Sequence, residues 1–215
     1  MTVADGQSVP PATLYDGGRA PNPRRVRIFL SEKGYTIPHI VQVDIGKGEH
    51  HSDEFTALNP MRRVPVMVLE DGAVIAESIA ICRYIEELVP EPNLFGRTPI
   101  ERAEIEMWNR RLELGLFSAV AHVFRHLHPA MAPWETPQVP AWGEANKPKV
   151  MHALEWLDAE LDGQDFIAGD RFSVADITGL VALDLLKPAK IVIPETLRHV
   201  RAWHARLVAR PSAAA

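Results

Sequence analysis

The chain has 215 residues, 47% of them hydrophobic, and a formal net charge of −5. This is enough apolar material for one large domain or two small ones. The negative charge argues against a nucleic-acid partner, because such partners require clustered Lys and Arg. No apolar run approaches the ~20 residues of a membrane helix, the start lacks an export signal, and the single cysteine, Cys82, excludes an internal disulfide. We therefore expect a cytoplasmic protein without a membrane partner.

The first part of the chain alternates short strands with helices. Residues 1–11 predict a flexible tail. After the tail, the pattern predicts a strand over 13–15, a loop over 17–23, a helix over 24–33 closed by Gly34, a strand over 39–43, a mobile polar loop over 46–51 and a helical turn over 52–58. This order is the beginning of a βαβ unit.

Residues 58–88, LNPMRRVPVMVLEDGAVIAESIAICRYIEEL, predict a hairpin followed by a helix. The strands are predicted at 66–69 and 73–76, around the turn Glu70-Asp71-Gly72, and Ser78 is predicted to be the N-cap of the helix. The predicted buried face of that helix comprises Ile79, Cys82, Ile85 and Leu88. Pro65 directly precedes the first strand, where a cis Val64-Pro65 bond would form a tight corner.

The rest of the chain predicts helices alone. Three prolines and a glycine in residues 90–99 indicate a linker. The predicted elements are a long helix over 100–126 stopped by Pro129, a loop over 133–140, a helix over 147–161, a capping box Ser173 to Asp176 ahead of the apolar run 177–186, and a last helix around Trp203. We therefore predict an α+β thioredoxin-like domain (βαβ-ββα) over 12–89, a linker over 90–99 and an all-α helical bundle over 100–212.

Three stretches resemble one protein family. The order asparagine-proline, basic residue, valine-proline, hairpin and glutamate-serine within 58–78 resembles the glutathione-binding half of cytosolic glutathione transferases. FIAGDRFSVADITGL and the closing ARPSAAA resemble the matching parts of the family's helical domain, so the resemblance spans about residues 13–212. It implies a homodimeric enzyme with glutathione as co-substrate and no metal, which conjugates the thiolate to small hydrophobic electrophiles or reduces peroxides or disulfides.

The resemblance also assigns glutathione-binding roles to individual residues. At a cis Val64-Pro65 bond, the Val64 backbone would pair with the cysteinyl residue of glutathione. Ser78 and the helix amides behind it would bind the γ-glutamyl carboxylate, and Glu77 would bind the ammonium group. The remaining predicted ligands, for the glycyl carboxylate, are His50 and Arg63.

The residue that activates the thiol is the point of departure from the family. The loop after the first strand has Ala20 where serine-type and cysteine-type members have a hydroxyl or thiol. Asn22 could donate its amide hydrogen to the thiolate, as in relatives with a T-P-N loop, and Tyr15 on the first strand is a further candidate. A helix dipole could also stabilise the thiolate.

Two histidines in the second half offer another route to activation. His122 and His126 share one helix face, but without an H-E-x-x-H motif or an evident third ligand they do not predict zinc. Their segment, ELGLFSAVAHVFRHLHP, resembles an atypical branch typified by the second yeast glutathione transferase, in which helical-domain residues act through water. The predicted walls of the electrophile pocket are Phe117, Phe124, Arg125 and Trp134.

Two other functions stay open at this point. A non-catalytic, protein-binding module of the same fold is favoured by Ala20, whereas Arg63, Glu77 and Ser78 oppose it because such a module has no need of a glutathione site. A glutathione-dependent isomerase or dehalogenase would share the first domain and differ in the pocket.

Overall fold

The computed structural model describes residues 12–215, so the tail predicted over residues 1–11 lies outside the described part. The chain forms two compact units. The first comprises the described residues up to Asn93 together with Ala214 and Ala215, and the second comprises Leu94–Ala213.

The first unit contains a four-stranded mixed sheet with helices. Its elements are β1 (Ala12–Asp16), α1 (Pro21–Glu32), β2 (His39–Gln42), α2 (Asp53–Leu58), β3 (Val66–Leu69), β4 (Val74–Ala76) and α3 (Ser78–Leu88). The strand order is β2-β1-β3-β4, with β1 parallel to β2 and the other pairs antiparallel. The predicted thioredoxin-like fold is thereby confirmed.

The strand register brings four loop segments to one end of the sheet. Asp16 at the end of β1 lies beside Gln42 at the end of β2. Val66 at the start of β3 pairs with Tyr15 on one side and Ala76 on the other. Because strands paired in this way end at a common edge, the segments 17–20, 43–51, 64–65 and 77–78 all emerge there.

Both long helices of this unit differ in detail from the prediction. α1 begins at Pro21, not Arg24, because proline suits the first helical turn, where its missing N–H is not needed. α3 buries Ser78, Ile81, Cys82, Ile85 and Glu86, so the predicted face that included Ile79 and Leu88 was turned by about one position. The end of α1 is as expected: Gly34 adopts φ +58° and closes the helix with a Schellman pair of hydrogen bonds.

The second unit is helical. Its elements are α4 (Pro99–Arg111), a π-helical segment (Leu112–Phe117), α5 (Ser118–Leu127), α6 (Pro140–Glu160), α7 (Val174–Asp184) and α8 (Arg198–Val208). The helix predicted over 100–126 is therefore helical throughout, but its middle turns are π-helical. Apolar periodicity does not reveal this change of helix type. α6 begins seven residues before the predicted Lys147 and contains Pro148 in its interior.

The core of the second unit surrounds α7, which is buried along nearly its whole length. The predicted capping box of Ser173 and Asp176 is present. Asp176 also accepts hydrogen bonds from the Ile167 amide and the Trp203 indole, each at 3.0 Å. Gly179 makes room for that indole, since a Cβ at this position would lie 2.1 Å from the Trp203 ring.

Candidate active site

The predicted peptide-binding corner and the predicted sulfur position are neighbours in the first unit. The Val64-Pro65 bond, whose isomer the sequence left open, is cis. A Cβ placed on Gly17 would lie 2.6 Å from Val64 Cγ2 and 3.4 Å from the Ala20 Cβ. Val64 and Ala20 therefore flank the same point of the β1-α1 loop, and only glycine at position 17 allows this approach.

The start of α1 offers few hydrogen-bond donors beside this point. Ala20 is the N-cap residue and has no side-chain cap. Pro21 and Pro23 have no N–H, and the Arg24 amide donates to the Ala20 carbonyl at 3.3 Å. Asn22, which is half-buried, is thus the only one of the first three helical residues with a backbone N–H. The side-chain amide of Asn22, its backbone N–H and the positive end of the helix dipole are the polar groups that this helix start can present to an anion.

Tyr15 belongs to a small hydrophobic cluster. Its ring makes an edge contact with Phe55, with 6.1 Å between the ring centroids, and packs against buried Val43, Val64 and Val66. The side chain is half-buried. This packing gives the ring a structural role in supporting the Val64 corner, and its role as an activator stays a prediction.

The start of α3 is built differently from the prediction. Ser78 is the first helical residue and Glu77 occupies the N-cap position with no side-chain cap, so Ser78 as the N-cap was wrong. The reason is that Glu77 leaves β4 with φ 73°, which starts the helix at Ser78, one residue earlier than predicted. Ser78 is only 4% exposed, and its Oγ accepts a hydrogen bond from Arg25 Nη1 at 3.4 Å.

This helix start has the features of an anion site. The first intrahelical hydrogen bond runs from the Ile81 amide to the Glu77 carbonyl, so the three preceding amides have no partner within the helix. Backbone amides and the helix dipole favour a carboxylate at such a position. Nothing in the sequence marks Arg25 as part of this site, since an arginine on a helix is usually exposed.

His50 and Arg63 are the predicted ligands of the glycyl carboxylate. The predicted mobile loop over 46–51 is wrong in shape, because residues 45–47 and 49–51 form two 3-10 turns, the first capped by Asp44. His50 is 9% exposed. Burial, followed by the charges of His51 and Arg63, lowers the pKa of His50 below its ordinary value. The charge of Arg63 thus acts on the His50 ring and favours its neutral form.

The histidines of the second unit hold the segment that follows α5. His126 is 9% exposed, its Nδ1 accepts the Val139 amide at 3.1 Å, and its Nε2 lies 3.8 Å from Glu135 Oε1. The His122 ring lies 6.0 Å from that of His126 and 5.6 Å from that of Trp142. Burial and then His126 lower the pKa of His122. Their role in orienting a water stays a prediction.

The four predicted pocket residues do not form a single group. Phe117 is 7% exposed and belongs to the core of the second unit. The other three are half-buried at the end of α5 and in the segment after it, where Arg125 lies 3.5 Å from Glu135. A cavity of about 670 Å³ in the same unit includes His122 in its lining but none of the four predicted residues. Its other lining residues include Leu114, Ser118, Trp142 and Trp156.

Residues 12–215 contain no cluster of three or more His, Cys, Asp or Glu side chains suited to a metal ion. Within the same residues, every helix is either too short or too polar to span a membrane.

Comparisons with known proteins agree over most of the chain. The family described as glutathione S-transferase, N-terminal domain, matches residues 20–88, and glutathione S-transferase, C-terminal domain, matches residues 121–211. Glutathione S-transferase 2 of Saccharomyces cerevisiae is 40% identical over 201 residues, which cover 93% of this chain and 86% of that protein.

Two solved structures are similar throughout. A glutathione S-transferase domain-containing protein from Marinobacter aquaeolei has a TM-score of 0.89 and 44% identity, and the match covers 93% of this chain and 98% of that one. Gtt2 from Saccharomyces cerevisiae has a TM-score of 0.88 and 40% identity, with 93% and 97% covered.

Proposed function

Since this chain belongs to the glutathione S-transferase family, we propose that it conjugates the glutathione thiolate to small hydrophobic electrophiles. The observation that supports this most directly is the convergence of the β1-α1 loop, the cis Val64-Pro65 corner and Glu77-Ser78 at one end of the sheet. Glutathione is the co-substrate of the family, and the described residues supply groups for each part of it.

In the proposed binding mode, each end of glutathione meets groups of opposite charge. The Val64 backbone pairs with the cysteinyl residue, while Ser78 and the α3 amides bind the γ-glutamyl carboxylate. Glu77 binds the ammonium group. Arg63 supplies charge to the glycyl carboxylate and neutral His50 supplies a hydrogen bond.

We assign thiol activation to the start of α1. A free thiol with a pKa near 8.5 needs a shift of about two units, or roughly 2.7 kcal/mol, to be largely ionised at neutral pH. One charge-assisted hydrogen bond contributes about 1.5–3 kcal/mol, so the side-chain amide of Asn22 and the helix dipole are sufficient in magnitude. The existing contacts of the His126 ring with Val139 and Glu135 support this choice over the water-mediated route.

Ultraviolet titration of bound glutathione thiolate tests the assignment. We expect Asn22→Ala to raise the pKa of the bound thiol by about one to two units, whereas His126→Ala and Tyr15→Phe leave it nearly unchanged. The opposite ranking would transfer the role to His126. If the parent protein binds glutathione but leaves its thiol at the free value, the non-catalytic function favoured by Ala20 is correct.

Steady-state assays separate the finer activities. An aryl halide, an organic hydroperoxide and a mixed disulfide of glutathione report conjugation, peroxidase and reductase activity, respectively. We expect conjugation to dominate, because the thiol-activating loop has no cysteine of its own to form a mixed disulfide.

We also propose a homodimer. Ile100, Met107 and Leu114 are apolar residues of the same helical stretch that are 64%, 38% and 63% exposed, and we propose that they belong to the interface. Exposed apolar residues grouped in this way are typical of a protein interface.

Light scattering tests the proposed homodimer. At micromolar concentration it should give twice the 23.9 kDa chain mass. Leu114→Glu should shift the mass toward the monomer, whereas Val192→Glu, at an 82% exposed site outside this helical stretch, should not.

We propose the cytoplasm as its location. Cys82 is a buried free thiol, and it is the single cysteine of the sequence. A reducing compartment keeps glutathione in the thiol form that the proposed reaction consumes. Fractionation of cells that express the full chain tests this proposal.

A further inference from the structure

The interface between α1 and α3 buries three charged side chains. Arg25 on α1 is 1% exposed, and Lys33 and Glu86 are 6% and 5% exposed. Lys33 forms an ion pair with Glu86 and donates to the Pro92 carbonyl at 2.7 Å, at the far end of this interface. Burying charges costs several kcal/mol per ion, so a buried arginine at the other end calls for a function.

Arg25 lies beneath the start of α3. Its Nη1 is 3.4 Å from Ser78 Oγ, and its charge also acts on Cys82, one turn further along α3. Ser78 is itself 4% exposed. The guanidinium is thus fixed behind the first turn of the helix, on the protein side of the candidate anion site.

The hydrogen bond from Arg25 to Ser78 fixes the direction in which the serine hydroxyl can donate. A serine hydroxyl has one hydrogen and two acceptor lone pairs. Because Ser78 Oγ accepts from Arg25, its own hydrogen is free to donate away from Arg25. A carboxylate at the helix start would then receive the serine hydroxyl and the helix amides, with a buried cation behind them.

We propose that Arg25 is a positioning residue for the γ-glutamyl carboxylate of glutathione: it orients the Ser78 hydroxyl and supplies a fixed positive charge beneath the start of α3. This inference rests on the proposed function, in which that carboxylate binds at Ser78. Arg25 acts through Ser78 and through the electric field, without contact with the reacting sulfur.

The test compares glutathione with 4-aminobutanoyl-cysteinylglycine, which lacks only the γ-glutamyl carboxylate. Calorimetric titration of the parent should show that glutathione binds about ten to a hundred times more tightly. Arg25→Met should reduce this preference to within about threefold by weakening glutathione alone, and Arg25→Lys should keep most of it. At saturating glutathione, kcat should change by less than about twofold, so the effect appears in KM.

Lys33→Met is the matched control, because it removes another buried cation from the same helix at a distance from Ser78. It should lower stability and preserve the preference. If Arg25→Met does not fold, Arg25→Gln supplies the neutral variant. Equal loss of both ligands in the folded neutral variant, or an unchanged preference, would overturn the inference while leaving the proposed function intact. A parent that binds both ligands equally would overturn the proposed orientation of glutathione and the inference with it.

Discussion

The starts of α3 and α7 look alike in the sequence, but in the structure only α7 is capped by its own side chains. Each combines a serine with an acidic residue, and the sequence pattern predicts a serine N-cap for both. At α7 the assignment was correct, because Ser173 and Asp176 satisfy each other within one turn. At α3 neither Glu77 nor Ser78 caps the helix.

The difference distinguishes a structural helix start from a functional one. The start of α7 is closed by its own side chains and is buried, with Asp176 at 0% exposure. The start of α3 keeps its first amides available and holds Glu77 at φ 73°, a conformation that costs about 1–3 kcal/mol in a residue other than glycine. An uncapped start, a strained residue beside it and a buried cation behind it together indicate a ligand.

The largest expected effect is a loss of stability when the closed start of α7 is disrupted. Asp176→Ala would leave four donors without their acceptor: the amides of Ile167 and Ser173, the Ser173 hydroxyl and the Trp203 indole. We expect a loss of at least about 4 kcal/mol in the free energy of unfolding, measured by urea denaturation. Asp170→Ala, at a 96% exposed side chain, should change it by less than about 0.5 kcal/mol. A small loss for Asp176→Ala would mean that the closed start is not what stabilises α7.

Local patterns predicted the closed start, because both partners of a capping box lie within four residues. The start of α3 could not be predicted in the same way, since the φ angle of Glu77 depends on how β4 pairs with β3 and leads into the helix. The sequence does not mark Arg25 either, because its burial appears only when α1 packs against α3. The π-helical turns over 112–117 and the buried His50 likewise depend on tertiary packing that periodicity does not contain.

The second expected effect separates strain from binding at the open start. Glu77→Gly removes the conformational strain and the carboxylate together, whereas Glu77→Ala removes the carboxylate alone. Both variants should bind glutathione about ten to a hundred times more weakly, because the ammonium group loses its partner. The glycine variant should be more stable than the alanine variant by about 1 kcal/mol in urea denaturation. Equal stabilities would argue against strain at this residue.

The third effect comes from a matched pair of serines. Ser173→Ala should lower the free energy of unfolding by about 1 kcal/mol and leave glutathione affinity unchanged, because it removes a cap. Ser78→Ala should weaken glutathione binding about tenfold and change stability by less than Ser173→Ala does, since Ser78 is not a cap. Titration calorimetry and urea denaturation of the two variants check both halves. If Ser78→Ala leaves the affinity unchanged, the γ-glutamyl site lies elsewhere.

The smallest effect concerns the other end of glutathione, where His50 is buried beside Arg63 and His51. Its lowered pKa means that the folded protein holds the ring neutral at pH values where an unfolded chain begins to protonate it, so this residue makes stability fall as the pH drops below about 6.5. A bound glycyl carboxylate favours the protonated ring and raises the pKa of His50 again.

Glutathione binding at pH ~6 should therefore take up a fraction of a proton. The uptake is detected because the calorimetric binding enthalpy then depends on the ionisation enthalpy of the buffer. His50→Gln should abolish the uptake, and His39→Gln, at an exposed site on β2, should retain it. Uptake that persists in His50→Gln would show that another group titrates and that the glycyl carboxylate does not lie against His50.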